Sequence, residues 1–311
     1  MRRILRWLLT SAVLTFTVSA LTFVLVSLTP GDAARTILGR DATPEQYQQL
    51  RAQLGLNDPL AVQYGHWLVH AVHGDLGTAL STGQPVLLTL QQRLGPSLSL
   101  ILGALVVSAL LGVGLGVLSA VRGGAVGRAL DLVSMVGMAL PAFWLGLVLV
   151  AAFAVALPLL PASGYVPFAD SPWQWARSLA LPVLTLGIGG CATIAKQTRD
   201  AMLAELRRDY IVLLRAHGLP QRTVVLRHAL KNAAIPVVTV LGLLLVGLLS
   251  GTVLAETVYV VPGLGSTAVL ATQAHDLPLI QGVALCFTVV VVLVNLLVEL
   301  LYGWLDPRSS R

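Results

Sequence analysis

Six stretches of this chain, at about residues 7–28, 97–121, 129–157, 179–195, 233–255 and 279–302, run for 17 residues or more with almost no charge. A helix needs roughly 20 mostly apolar residues to cross a hydrocarbon layer about 30 Å thick. Lipid offers the backbone no hydrogen-bond partner, so each stretch is read as a helix. With 56% of the 311 residues apolar and 11% charged, too little polar surface is left to cover a soluble globule. The third stretch is long enough to tilt or to run past the membrane. The fourth is short and carries Gly187, Gly189 and Gly190.

Basic residues are retained on the cytoplasmic side of a membrane, and this fixes the expected orientation. Arg2, Arg3 and Arg6 precede the first span, Arg122 and Arg128 lie between the second and third, and Arg308 and Arg311 end the chain. Lys196, Arg199, Arg207, Arg208, Arg215, Arg222, Arg227 and Lys231 fill the segment between the fourth and fifth. Fifteen of the 20 Lys and Arg thus fall on one side, which puts both termini in the cytoplasm. Arg35, Arg40, Arg51, Arg93 and Arg177 fall on the other. The net charge of +6 is a topology signal, and nucleic acid is not an expected partner. Val18-Ser19-Ala20 faintly resembles a cleavage site, but apolar sequence continues to Leu28, so the first span is read as retained. Cys191 and Cys286 both fall inside spans and are expected to pack as small apolar residues.

Three segments lie outside the spans. Residues 30–95 form an external insert that opens with Pro30-Gly31-Asp32 and has a polar helical patch from Pro44 to Leu54. Its Asn57-Asp58-Pro59 and Gly74-Asp75 turns predict a compact cap of short helices. A second external loop, Pro158 to Ser178, is stiffened by four prolines and holds Trp173 and Trp175, which suit a membrane interface. The third is the basic segment.

Several chemistries are excluded. The two lysines follow Ala195 and Leu230, so no phosphate-binding G-x-x-x-x-G-K-[ST] loop can be written. No His-Glu-x-x-His pair, Gly-x-Ser-x-Gly elbow or Cys/His zinc spacing is present, and the chain is not expected to be an enzyme. Uphill transport would need an ion gradient or a partner subunit. A gradient-driven carrier places ionisable groups at mid-membrane. The candidates, Asp131, Glu256 and Glu299, all lie near span ends. A self-contained secondary transporter or channel is therefore the alternative reading.

In the basic segment, Asp209 to His217 predicts a short helix, capped at its start by Asp209 and ended by a left-handed Gly218. A second helical stretch runs from Pro220 into the fifth span. Tyr210, Leu213, Leu214 and His217 share one face at offsets of three and four. Such a face, with no obvious core to cover it, suits docking onto another protein, and equally a helix lying on the bilayer surface.

These residues resemble the EAA signature loop of bacterial ABC-importer permeases, the binding-protein-dependent inner-membrane components, in the dipeptide, oligopeptide and nickel branch. The loop matches at Asp209, Tyr210, Arg215, Ala216, Gly218 and Leu219, then at Arg227, His228, Leu230, Asn232, Ile235, Pro236 and Val237. Elsewhere the likeness covers Pro30-Gly31-Asp32, Leu54-Gly55-Leu56, Gln63-Tyr64, Gly74-Asp75-Leu76-Gly77, Leu140-Pro141, Pro262-Gly263-Leu264-Gly265, Asp276 and Asp306-Pro307-Arg308. Val212, Leu213 and Leu214 depart from the family's more polar run, and His217 replaces its usual Lys.

The resemblance implies an all-α membrane protein of six transmembrane helices, the type I ABC-importer permease fold, with a small external insert after the first helix, in the bacterial plasma (inner) membrane. It divides the chain into a first transmembrane helix (1–29), an external cap insert (30–95), a transmembrane core (96–303) with its coupling loop (196–232), and a cytoplasmic tail (304–311). It further implies a homologous sister permease, two ATPase subunits that bind ATP and Mg, an external solute-binding protein, and no cofactor in this chain. The residues that would couple to an ATPase are Asp209, Tyr210, Leu213, Leu214, Arg215, Ala216, His217 and Gly218. Cargo of the peptide, nickel or metal-chelate class is expected.

Three other features stand out in the sequence. His66, His70 and His73 lie at offsets of four and three with Asp75 close behind, a pattern that can share a metal ion and also occurs on plain solvated helices. Glu256 is expected to mark a water interface near a span end, and Asn295 to bond across a helix pair.

Overall fold

The structure is a computed structural model that describes residues 2–28, 33–39 and 42–305. Pro30-Gly31-Asp32, Arg40, Asp306-Pro307-Arg308 and Arg311 lie outside the described residues. The helices are α1 (Arg2–Leu28), α2 (Ala33–Leu38), α3 (Pro44–Gln53), α4 (Leu60–Val72), α5 (Val86–Arg122), α6 (Gly124–Ala139), α7 (Ala142–Val150), α8 (Pro172–Leu206), α9 (Asp209–Ala216), α10 (Gln221–Thr223), α11 (Leu230–Tyr259), α12 (Leu264–Gln273) and α13 (Leu277–Leu305). A π-helical segment, Ala151–Ala156, follows α7, and another, Val224–Ala229, joins α10 to α11. Among the described residues the only β pairing is an isolated bridge between Thr78 and Pro85.

Among the described residues, five unbroken helical stretches are long and apolar enough to span a bilayer: Trp7–Leu28, Val86–Arg122, Pro172–Leu206, Gln221–Tyr259 and Leu277–Leu300. The sixth is a broken pair, Gly124–Ala139 and Ala142–Ala156, bent by 100°. A single helix over 129–157 is thereby corrected. Pro141 has no N–H to donate and drives the residue before it out of the helical region. Leu140 accordingly sits at φ −74, ψ 126, and the helix ends there. The fourth span is also longer than its apolar core, since α8 covers 35 residues and carries Lys196 to Leu206 as helix.

The chain divides into two compact units, Met1–Gly95 with Pro262–Val292, and Pro96–Val261 with Leu293–Arg311. In the first, α3 is closed by a capping box: Thr43 Oγ1 accepts from the Gln46 N–H, and Gln46 Oε1 from the Thr43 N–H. Helix α4 lies on α1 through Tyr64, which meets Phe16 and Phe23 edge-on and stacks on Trp67. The Ser19 and Tyr64 hydroxyls are 2.8 Å apart. Buried Asp276 takes the Ser81 N–H and hydroxyl at 2.9 and 2.7 Å and caps α13 through the Leu279 N–H. In the same unit Leu76, Val86, Leu90, Leu264, Ile280 and Val283 form an apolar core.

The second unit is built on α8, against which α6, α7 and α11 pack. Small residues let α5 come close: a Cβ on Gly112 would lie 2.7 Å from Ile194 Cβ, and one on Gly116 would lie 2.6 Å from the Ala195 carbonyl. Tyr259, 1% exposed, lies 2.7 Å from the Thr185 hydroxyl and donates to the Gly146 carbonyl. Glu256 is 0% exposed and accepts from Ser97 at 2.6 Å, so the expected interfacial carboxylate is instead enclosed by protein. Sequence alone could not place Ser97, 159 residues away, beside it. Cys191 is buried, Cys286 is partly buried, and both are free thiols. Asn295 is exposed within the chain.

Candidate functional site

The segment singled out by its basic residues is short and well seated. After Leu206 the chain turns through Arg207 and Arg208, and Arg208 takes an extended backbone (φ −74, ψ 147) at the N-cap of α9. Asp209 is therefore the first helical residue and not the cap, and Arg208 makes no side-chain cap bond. Its Nε lies 3.3 Å from Glu205 Oε1. Asp209 still sits where the helix dipole favours an anion.

One face of α9 is bound to the chain's own core. Ile211 is 0% exposed in a cluster with Met202, Val224, Val225, Ala229, Ala233 and Ala120. Tyr210, Leu214 and Leu219 pack against that cluster. A polar chain reinforces it: Asn232 Nδ2 donates to the Tyr210 hydroxyl at 2.9 Å, which donates to Glu205 Oε2 at 2.9 Å. Burial pushes the Tyr210 phenol pKa up, and its bond to the Glu205 carboxylate adds to the shift. Helix α9 is thus fastened to the end of α8 and the start of α11.

The C-terminal end of α9 is a Schellman turn. Gly218 at φ +77 donates to the Arg215 carbonyl at 3.0 Å, and Leu219 donates to the Leu214 carbonyl at 3.3 Å. The C″ and C3 residues of that turn, Leu219 and Leu214, both rest on the core, the apolar contact such turns favour.

The opposite face is open. Val212 and Leu213 are 59% and 58% exposed, beside exposed Arg215, Ala216 and His217. The His217 ring folds back, with Nδ1 2.8 Å from the Leu213 carbonyl. The expected single face of Tyr210, Leu213, Leu214 and His217 is therefore divided, with the first and third inward and the others outward. The expectation of no core beneath this helix is corrected as well, since the cluster around Ile211 was assembled from four separate stretches of sequence. The one local signal for it was the apolar spacing of Ile211 and Leu214.

Asp131 and Asp200 share two cations in ion pairs. Asp131 lies 3.3 Å from Lys196 and 3.4 Å from Arg199, and Asp200 reaches the same two cations at 3.6 and 3.8 Å. Glu299 is exposed.

The three histidines lie on or just past α4, as their spacing requires, but go to different partners. His70 Nδ1 is 3.6 Å from Asp75, and His73 Nδ1 is 2.8 Å from the Val69 carbonyl. His66 lines a cavity of about 190 Å³ with Phe23, Leu56 and Trp67. Among the described residues no three His, Cys, Asp or Glu side chains are grouped to hold a metal ion.

Residues 112–311 match the family described as "Binding-protein-dependent transport system inner membrane component", and residues 1–101 match the family "Binding-prot-dependent transport system membrane comp, N-term". The chain is 40% identical to a probable peptide ABC transporter permease of Sinorhizobium fredii, over 98% of both chains. It is 40% identical to a probable D,D-dipeptide transport system permease of Escherichia coli (94% of this chain, 93% of that one). A glutathione transport system permease of Escherichia coli is 39% identical, with coverage of 94% and 93%. Among solved structures, the inward-facing MetNI methionine ABC transporter superposes with a TM-score of 0.56 at 17% identity, over 71% of this chain and 97% of that one, a likeness of fold.

Proposed function

Because the chain belongs to the binding-protein-dependent transport system inner membrane components, multi-pass permease subunits of bacterial importers that work with ATPase and solute-binding components, we propose that Asp209–Gly218 carries ATPase motion to the membrane helices. The observation that carries this reading is the division of α9. Ile211, Tyr210 and Leu214 fix it to α8 and α11, while Val212, Leu213, Arg215, Ala216 and His217 present an open apolar and basic face. A helix bound firmly on one side and bare on the other passes on a push without absorbing it.

On this reading a sister permease completes the pore, two ATPase subunits bind ATP and Mg and grip α9, and both permease termini face the cytoplasm. The distribution of Lys and Arg supports that orientation. ATP favours the closed ATPase pair, and the permease responds to the extent that it is tied to that state, an ordinary population shift. The cargo is a short peptide or related small solute. The relatives whose names specify peptide, D,D-dipeptide and glutathione transport support that class.

The test is a cross-link. Leu213→Cys, in the assembled complex with both native cysteines replaced by Ser, should join to an ATPase subunit through a short bis-maleimide, with a yield that changes between nucleotide-free and ATP-bound states. Labelling of Leu213→Cys by lipid-soluble probes alone, with no ATPase adduct in either state, would sink the assignment.

A further inference from the structure

The segment between the π-helical turn after α7 and the start of α8 borders an open cleft of about 510 Å³, within the size range of small-ligand sites, and Arg177, Gln174 and Ser163 on its walls are exposed. Its walls include Pro158, Pro161, Ser163, Tyr165, Gln174 and Arg177. Prolines stiffen the outer wall. The inner wall is pinned by the Gly164 N–H, which donates to the Tyr259 carbonyl at 2.8 Å, and Tyr259 is itself buried on Thr185 and Gly146. The cavity is thus held in shape by the packed part of the unit.

Most of its side-chain polar groups have no partner within the chain among the described residues. The Arg177 Nη2 donates to the Leu159 carbonyl at 2.7 Å, which fixes the guanidinium against the wall and leaves its other donors available. Among the described residues no carboxylate comes within ion-pair distance of Arg177. Nor does any group among them accept from or donate to the Tyr165 phenol, the Ser163 hydroxyl or the Gln174 side-chain amide. A single fixed guanidinium ringed by hydroxyl and amide donors matches a singly charged planar anion, which a guanidinium binds through two parallel bonds. A dianionic phosphate would leave one charge unmatched. The apolar lining of Leu160, Val166 and the prolines suits the carbon body behind such a group.

We infer that this cavity receives the carboxylate of a small organic solute, with Arg177 as its counter-charge and Tyr165, Ser163 and Gln174 as its orienting donors. The inference rests on the importer reading above, in which this loop faces outward, and it names the cargo chemistry that the permease itself inspects.

The experiment uses the complex of permease and ATPase partners in nanodiscs, without solute-binding protein. Binding of radiolabelled dialanine is compared with that of its C-terminal amide. The free acid should bind at least tenfold more tightly. Arg177→Gln should shrink that preference to less than twofold, and Arg177→Lys should restore part of it. Ser163→Ala and Tyr165→Phe, at the cavity rim, should each weaken free-acid binding about threefold. An unchanged gel-filtration profile is the check that each variant folds. Equal binding of acid and amide by the natural protein, or an undiminished preference in Arg177→Gln, overturns the assignment. So does unchanged probe binding by Arg177→Gln with weakened capture of the solute-binding protein in a separate pull-down, which would make Arg177 a protein-docking residue. Carboxylate-selective binding without ATP-driven uptake of any peptide would instead refute the peptide reading and leave the cavity assignment standing.

Discussion

Ile211 and Leu213 are two aliphatic residues of equal size, two positions apart on one eight-residue helix, and the proposed coupling role gives them opposite phenotypes. Ile211→Ala removes three buried carbons from a fully enclosed site. At about 0.8 kcal/mol per buried CH₂ the transfer loss is roughly 2.4 kcal/mol, and the cavity left behind brings the total to about 2–5 kcal/mol. That loss loosens α9 from α8 and α11. Leu213→Asp, at a position 58% exposed, removes little burial and should change stability by less than about 0.5 kcal/mol. It places a carboxylate in the face offered to the ATPase. Thermal unfolding of the purified complex, peptide uptake into proteoliposomes and ATP hydrolysis stimulated by binding protein separate the two. Ile211→Ala should lower the unfolding temperature and reduce uptake, with part of the ATPase activity persisting uncoupled. Leu213→Asp should leave the permease fold at its normal stability and abolish both uptake and stimulation. Normal uptake by Leu213→Asp, or undiminished stability in Ile211→Ala, would refute the division of α9 into an anchored and a docking face.

Two further outcomes follow from the same helix. Gly218→Pro cannot reach φ +77 and has no N–H for the Arg215 carbonyl, so it should destroy the Schellman turn and abolish uptake, while Gly218→Ala should cost about 1–2 kcal/mol; pull-down of the sister permease and an uptake assay check both. Since the folded Tyr210 pKa lies above the ordinary 10.0, its contribution is fully present below that value and is lost as pH rises through the folded pKa. Unfolding followed from pH 9 to pH 11.5 should show an alkaline loss of stability that Tyr210→Phe reduces, at the cost of its bonds to Glu205 and Asn232.

The spans, the short helix and its glycine stop were legible because each rests on local chemistry: apolar runs, a 3.6-residue period, and a residue without a Cβ. What failed depended on neighbours. Residues 196–206 read as loop because Lys196, Arg199, Asp200 and Glu205 interrupt the apolar run. Yet Lys196 and Asp200, at i and i+4, are a helical pair, and the structure joins them at 3.6 Å. The break at Pro141 was invisible to a hydropathy window and visible in the Leu140-Pro141 step. Depth along a span, which makes Glu256 read as interfacial, is blind to Ser97 beside it. Asp209 lost the cap position because α8 runs on to Leu206, leaving only Arg207 and Arg208 to make the turn.

Both proposed sites depend on α8. Arg177 and Gln174 lie near its first turns, Met202 and Glu205 near its last, and 28 residues separate Arg177 from Glu205. At 1.5 Å per residue that is about 42 Å, so a tilt of about 10° around the middle of the helix displaces each site by roughly 4 Å in opposite directions. Helix α5 lies close against α8 along a seam from Val183, beside Gly103, to Thr198, beside Gly116, and contact that close leaves no room for the two helices to come apart while α8 turns on α5. Gly114 and Gly116, two of the glycines in this stretch, make a matched pair for testing that role. A Cβ on Gly116 would meet Thr198 Cβ at 2.5 Å and the Ala195 carbonyl at 2.6 Å, whereas one on Gly114 meets nothing within 4 Å. Gly116→Val should therefore force the helices apart, destabilise the unit by about 1–3 kcal/mol and slow uptake severalfold. Gly114→Val should change neither, because its side chain enters space open within the chain. Equal effects of the two substitutions on unfolding temperature and on uptake would mean that α8 does not turn on α5, and the outward cavity and the α9 socket would then have to move independently.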